Sequence, residues 1–421
     1  MGNADLRDRL RRLGLTRGAG ALKDQAQENL GRGRRRARRR KTQAIEALLP
    51  GEVVENDGGP YFLYRETYPL DYVHGGAQLA DLLAHLPAGP ALLARDERLA
   101  GVDAGRLVFV DTETTGLAGG TGTYAFLVGV GLFQGGAFVL HQFFMRDYSE
   151  EPAQLLALGE LLDGAEAVVS FNGKSFDLPL LETRFLMARQ PPRLAGAPHL
   201  DLLPPARRLW KYRLPSCALS SLEQAILGVQ RAQADVPGWL IPGLYADYAR
   251  TGDAREMPRI FYHNAQDILS LVTLAAHMCT LLAAPGPHVP GEDLYGLGRL
   301  FQDLGRLDEA EAAFARAARD SRQDSVAEQA ARDLAYLLKR QERREEALAW
   351  WEELAHTRGA VYACEELAKH YEWQAIDLAQ ALAWTQQGIA LAEAWPPGLR
   401  RRQTLADLHH RQARLEQKLE S

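Results

Sequence analysis

Val108-Phe-Val-Asp-Thr-Glu-Thr-Thr-Gly-Leu117 is the stretch on which the reading of this chain turns. From Arg106 to Val110 the residues are mostly apolar, β-branched or aromatic, the composition of a strand buried at the centre of a sheet. Residues i and i+2 of a strand share a face, so a strand that continues through Glu113 sets Asp111 and Glu113 together on one edge, close enough to share an ion. The small residues that follow, Thr114 to Gly122, admit the close approach of a ligand's backbone. Alone, Asp-x-Glu reads as a surface turn. The rest of the chain changes that weighting.

A second strand, Ala167-Val-Val-Ser-Phe-Asn172, leads into Gly-Lys-Ser-Phe-Asp177 and then a helix, Leu178 to Met187. An Asp at this point is ordinarily a helix N-cap, and Pro179 in the first turn agrees with a cap. Capping does not prevent Asp177 from also holding a metal. Asn172 and Lys174 lie between strand and helix, where substrate contacts often sit. The third acid, Asp267, belongs to a helix expected from about Ile260 to Leu282, with His263 one turn earlier on the same face. A lone helical His is more often structural, but beside an acid of this set it is a general-base candidate.

Asp111, Glu113, Asp177 and Asp267 each adjoin an apolar run, and ionised acids beside a core need cations to offset repulsion and desolvation. Carboxylate oxygens are hard ligands, which suits Mg²⁺ or Mn²⁺, and such a centre favours phosphodiester hydrolysis.

The three motifs in this order, with 156 residues from Asp111 to Asp267, resemble the DEDD exonucleases of the ribonuclease H-like superfamily. The resemblance implies an α/β domain, a mixed sheet flanked by helices. It also implies two metal ions roughly 3.5–4 Å apart, held by Asp111, Glu113, Asp177 and Asp267, and removal of nucleotides from the 3′ end of DNA or RNA. There is one departure. One branch of the superfamily has a His five residues before the last Asp and another a Tyr four before it; here Tyr262 is five before and His263 four before. His263 is favoured as the base because imidazole titrates near neutrality and phenol does not, with Tyr262 as the alternative. Gly119-Gly-Thr-Gly-Thr-Tyr-Ala-Phe-Leu-Val-Gly129, Phe171 to Asp177, His199-Leu-Asp-Leu-Leu203, Arg207-Arg-Leu-Trp210 and Asp235-Val-Pro-Gly238 narrow the likeness to the YprB-like bacterial family, of the mitomycin repair factor B type. It covers residues 50–282 closely, and implies DNA as substrate, a role in repair and a repair helicase as partner.

Other residues of this region invite roles. Thr114, Asn172, Lys174, Arg207, Arg208 and Lys211 are candidates for substrate binding; the last three cluster with Arg213, Trp210 and Tyr212, a mix that suits phosphates and base stacking and equally a solvated amphipathic helix. His199 and Asp201 are read as supplements to the metal site, or Asp201 as a cap.

The chain has 421 residues, 46% of them hydrophobic, enough for more than one domain. Three scattered cysteines argue against a disulfide framework. No apolar run approaching the roughly 20 residues of a membrane span and no apolar leader stand out in the sequence, so a cytoplasmic location is expected. Net charge is −5, but residues 1–41 carry fourteen Lys or Arg against four acids, and the remainder is correspondingly acidic. The run Arg32 to Lys41 reads as a flexible arm with non-specific affinity for a polyanion.

Four regions are expected: a basic arm over 1–47, a β-hairpin and short helix over 48–98, the nuclease-like domain over 99–285, and helical repeats over 290–421. In the last, Leu297, Gly298, Phe301, Ala310, Phe314 and Ala317 fit a tetratricopeptide-like pair of helices. Leu334, Ala335, Leu338, Ala347, Trp351 and Leu354 repeat it, and Leu367, Ala368, Tyr371, Ala381 and Ile389 give a weaker third copy. Such repeats bind a partner protein or buttress the neighbouring domain.

Overall fold

The computed structural model describes residues 42–116, 122–232 and 235–420. The Arg-rich run and part of the glycine-rich segment after Glu113 lie outside the described residues.

Strands β1 (Glu52–Asn56), β2 (Gly59–Pro69), β5 (Leu107–Thr114), β6 (Ala125–Gln134), β7 (Ala137–Phe144), β8 (Ala167–Ser170) and β9 (His199–Asp201) form one mixed sheet, in the order β1-β2-β7-β6-β5-β8-β9. The short strands β3 (Val73–His74) and β4 (Ala77–Gln78) make a separate hairpin. Pairs β5–β8 and β8–β9 are parallel and the other pairs of the large sheet antiparallel. The segment read as an accessory hairpin is therefore part of the same sheet: β2 pairs with β7 from Phe62↔Phe144 to Pro69↔Ala137. The short helix expected after it is a 3-10 helix, Leu79–His85.

The helices of this half are α1 (Ala88–Ala94), α2 (Glu151–Leu162), α3 (Asp177–Met187), α4 (Leu203–Trp210), α5 (Leu219–Leu222), α6 (Ile241–Thr251) and α7 (Met257–Ala283). The alternation of β5 decides what each face meets. Leu107 and Phe109 join one buried cluster with Ile268, Leu271 and Val272 of α7, whereas Val108 and Val110 join another with Leu155 and Leu158 of α2 and Leu181 and Phe185 of α3. Two glycines of β6 bring α7 close to the sheet. A Cβ at Gly131 would lie 2.8 Å from Ile268, and one at Gly129 would overlap the Asn264 amide.

By length and composition α7 could cross a membrane, contrary to the sequence reading that no run approaches that length. In the fold it is a core helix, with Ile268, Leu271, Val272 and Leu274 at most 1% exposed.

The chain then continues as helices α8 (Gly291–Asp303), α9 (Leu307–Asp320), α10 (Asp324–Arg340), α11 (Arg344–Arg358), α12 (Val361–Trp373), α13 (Leu378–Glu393) and α14 (Leu399–Glu420), each packed on the next. The repeated apolar positions are where these helices meet: Leu297, Phe301, Ala310, Phe314 and Ala317 are buried, as are Leu334, Ala335, Leu338, Ala347, Trp351 and Leu354. A Cβ at Gly298 would press on the Phe314 ring, so this small residue sets the spacing of α8 and α9. The helical half shares a core with α4, where Leu209 and Trp210 cluster with Leu294 and Tyr295, and Arg213 makes a two-pronged ion pair with Asp293 at 2.7 and 2.8 Å.

Candidate active site

The face rule of β5 carries into the acids. Asp111 and Glu113 share the odd-numbered face of Leu107 and Phe109, toward α7, and Asn264 of α7 donates its amide to Asp111 Oδ2 at 2.8 Å. Thr112 lies on the opposite face, toward α3, and donates its hydroxyl to Asp177 Oδ1 at 2.5 Å. Asp177 is the first residue of α3 and not its N-cap, which is Phe176, and its carboxylate turns toward Thr112 of β5. The loop before it is held by Asp201, which accepts the Asn172 amide at 2.7 Å, the Lys174 amide at 3.2 Å and the Leu203 amide at 3.1 Å. His199 pairs with Ser170 Oγ at 2.7 Å, and burial depresses its imidazole to about 4. Asp201 and His199 thus support the loop under Asp177. Gly173 completes it, since a Cβ there would come 3.3 Å from Asp177 Oδ2.

On α7, His263 Nε2 lies 3.6 Å from Asp267 Oδ2, and His263 Nδ1 lies 2.9 Å from Asp235 Oδ1. The neighbouring Tyr262 hydroxyl instead accepts the Ala232 amide at 3.0 Å. Of the two candidate bases, His263 is the one that faces the acids. Arg231, which the sequence reading did not single out, enters the same group. It bonds to Asp267 Oδ1 and grips Glu223 through Nε (2.8 Å) and Nη2 (2.6 Å). Glu223 opens a π-helical turn, Glu223–Leu227, and is 2% exposed. Such turns are frequent at functional sites. A cleft of about 900 Å³ adjoins these residues, lined by Gln224, Gln230, Trp239, His263 and Asp267, and Trp239 is 71% exposed on its rim.

The acids interact strongly. Burial raises the Asp111 carboxyl well above the ordinary range, Asp267 and Asp177 raise it further, and the Asn264 amide and Arg231 oppose the shift. Burial acts likewise on Glu113, with Asp111, Asp267 and Asp177 adding to it. Asp177 is pushed up to about 6, by burial first and by Asp201, against the Thr112 bond. An acid raised on folding binds protons more readily in the folded state, so its share of stability falls as pH rises from about 4 through 6. The metal-free protein is therefore expected to unfold at higher urea at pH 5 than at pH 7, with the difference reduced in Asp177→Asn. Equal midpoints at the two pH values for wild type and variant contradict this electrostatic picture.

Among the described residues no three Asp, Glu, His or Cys side chains already stand as an ion-binding group. The fit to a metal is one of donor chemistry: four acids of hard oxygen, three of them driven toward protonation by burial and two of these, Asp111 and Glu113, also by other acids of the set, are relieved by a divalent cation such as Mg²⁺ or Mn²⁺.

The candidate substrate residues divide. Thr114 donates to the Gly116 carbonyl at 2.8 Å beside the site, and Asn172, with φ of +64°, lies in the loop before Asp177. Lys174 is exposed in that same loop. Arg207, Arg208 and Lys211 belong to α4 and its end, against the helical half: Arg95 and Asp303 act on Arg208, and Lys211 sits 4.9 Å over the Tyr212 ring. Among the described residues no hydrogen bond or ion pair ties these three to the four acids.

Residues 108–279, the span from β5 almost to the end of α7, match the RNase_H superfamily. Over 369 residues, 86% of this chain and 87% of the relative, the sequence is 32% identical to a Bacillus subtilis (strain 168) protein described as "Uncharacterized protein YprB". With that identity over most of both chains, and with the superfamily match, the chain belongs to the YprB family of ribonuclease H-like proteins.

Proposed function

We propose that this chain is a two-metal-ion nuclease that removes nucleotides from the 3′ end of DNA, acting in the cytoplasm in DNA repair. The observation that carries the reading is the gathering of Asp111, Glu113, Asp177 and Asp267, from one strand and two helices, about a buried centre that faces His263. In this reading Asp111, Glu113, Asp177 and Asp267 hold two Mg²⁺ or Mn²⁺ ions. Bound there, the ions supply charge stabilisation for the developing phosphorane and leaving oxygen.

The chain's own groups supply the rest. Asn264 fixes one Asp111 oxygen and Thr112 one Asp177 oxygen, so each carboxylate keeps a defined orientation. His263 takes the proton of the attacking water at Nε2 as its oxygen bonds to phosphorus and the bond from phosphorus to the 3′ oxygen of the preceding nucleotide breaks. Trp239, on the rim of the cleft, offers a face on which a terminal base can stack. The helices after residue 290 serve as a tetratricopeptide-like arm for a protein partner such as a repair helicase. A pocket of about 220 Å³ among the end of α10, α11 and α12, lined by Lys339, Trp351, Lys369 and Trp373, offers that arm a place to bind a partner.

The test is digestion of 5′-labelled single- and double-stranded DNA and RNA with Mn²⁺, Mg²⁺ or EDTA. The expected result is a metal-dependent ladder that shortens from the 3′ end on DNA. Internal cuts would replace the exonuclease by a structure-selective endonuclease. Binding without cleavage would leave a nucleic-acid scaffold.

A further inference from the structure

We propose that Asp235 and Arg231 are positioning residues for His263, which fix its tautomer and aim Nε2 at Asp267. This rests on the nuclease reading above and adds two residues to the machinery. Three observations carry it.

The first is that Asp235 is delivered to His263 by a built segment. Its amide donates to the Ala232 carbonyl at 3.0 Å, its carbonyl accepts Arg259 Nη2 at 3.0 Å, and the next residue, Val236, is 1% exposed in a cluster with Ile241 and Ile260. With the backbone pinned on both sides, the carboxylate reaches His263 Nδ1 at 2.9 Å.

The second is the choice of partners at Nδ1. Arg231 Nη1 lies 3.0 Å from that nitrogen and Asp235 Oδ1 lies 2.9 Å from it. Only the carboxylate can accept a proton there, and Arg231 Nη1 has Asp235 Oδ2 as a second target at 3.4 Å. With Nδ1–H donated to Asp235, Nε2 carries the lone pair, and Nε2 is the nitrogen 3.6 Å from Asp267 Oδ2. Once Nε2 takes a proton from water, the imidazolium that results sits against the Asp235 charge.

The third is that Arg231 is committed to protein groups. Nε and Nη2 grip Glu223, Nη2 also bonds Asp267, and Nη1 faces Asp235. Glu223 is itself fixed, accepting Ser270 Oγ at 2.6 Å, and Ser270 Oγ pairs with His74 Nε2 of β3 at 2.7 Å. The guanidinium therefore locks Asp267 and Asp235 on either side of the imidazole, and its donors are not turned out toward a phosphate.

The experiment uses the full chain labelled with ¹⁵N-histidine, metal-free, at a pH where imidazole is neutral. Long-range ¹H–¹⁵N spectra distinguish the two tautomers, and His263→Asn assigns the signal. In wild type His263 should be protonated on Nδ1. In Asp235→Asn the amide donates to Nδ1, so the proton should move to Nε2. On DNA that variant should lose about 10²-fold in kcat, with KM and Mn²⁺ affinity within about twofold of wild type. Asp235→Glu, which keeps the acceptor, should recover part of the loss. A wild-type proton on Nε2, or an Asp235→Asn variant with unchanged tautomer or unchanged kcat, overturns the proposal. If the wild-type chain cleaves no nucleic acid, the nuclease reading falls, while the tautomer spectra still decide whether Asp235 orients His263.

Discussion

Asp111→Asn should abolish hydrolysis, by about 10³-fold or more, and leave the metal-free protein as stable as wild type or more so. The loss follows from the site's chemistry. Asp111 lies at the centre of the acid set: its charge raises Glu113, and it is itself raised by burial and by Asp267 and Asp177. Losing one ligand of a metal centre removes several kcal/mol of transition-state stabilisation, and each 1.36 kcal/mol is a factor of ten in rate. The stability follows from the same charges. A neutral amide at this position relieves repulsion among buried acids and keeps the shape of the side chain. The oxygen of the new amide can still accept from Asn264 Nδ2, while Asn264 Oδ1 keeps the Gln142 Nε2 bond of 2.8 Å. Rates on labelled DNA and urea midpoints of the two proteins check both halves. A variant that unfolds, or one that retains wild-type rate, counts against the site.

Glu223→Ala should destabilise the fold by about 3–5 kcal/mol, the cost of leaving a buried charge without its partner. Arg231 and Glu223 have side chains 13% and 2% exposed and are joined by two bonds. Burial disfavours the Arg231 charge, and Asp267 and Glu223 together more than compensate. Removing Glu223 takes away the two-bond partner, leaving the guanidinium Asp267 and the longer contact to Asp235, and removes the carboxylate that accepts the Ser270 hydroxyl. Arg231→Met combined with Glu223→Leu should recover much of the stability, because replacing both members of a buried pair by apolar groups costs far less than breaking it. Urea unfolding of wild type, single and double variants forms the check. A single variant within 1 kcal/mol of wild type would mean that the pair is not buried as described.

The sequence was most legible where periodicity and burial agree. The apolar run before Asp111 and the long apolar stripe of α7 are read from local pattern, and both elements are present, with α7 somewhat longer at each end, Met257–Ala283. The four acids and His263 were legible as motifs, and the structure brings them to one place. Two features were hidden because they depend on pairing across the chain. The 11-residue strand β2 joins the sheet through β7, with partners from Pro69↔Ala137 to Phe62↔Phe144 far apart in sequence, and no local pattern announces that partner. Asp177 has the position of a cap in sequence but bonds to Thr112 across β5 instead. Glu223, Arg231 and Asp235 come from an irregular stretch, a π turn followed by loop, where neither the period of two nor that of 3.6 applies. A signal existed in hindsight at Asp235, in the Asp235-Val-Pro-Gly238 segment, and at Asn264, in the α7 motif itself. The glycines of β6 were another signal, since Gly129 and Gly131 are the gaps that let α7 reach Asp111.

The measurement that bears most directly on the central claim is Mn²⁺ binding to the full chain, followed by electron paramagnetic resonance and calorimetry. Wild type, Asp111→Asn, Asp177→Asn and Asp267→Asn would be compared at pH 7.5. Two ions per chain in wild type, with one or both lost in each variant, is the result expected if these acids form one metal centre. Binding that none of the three substitutions alters would place the metal elsewhere and contradict it.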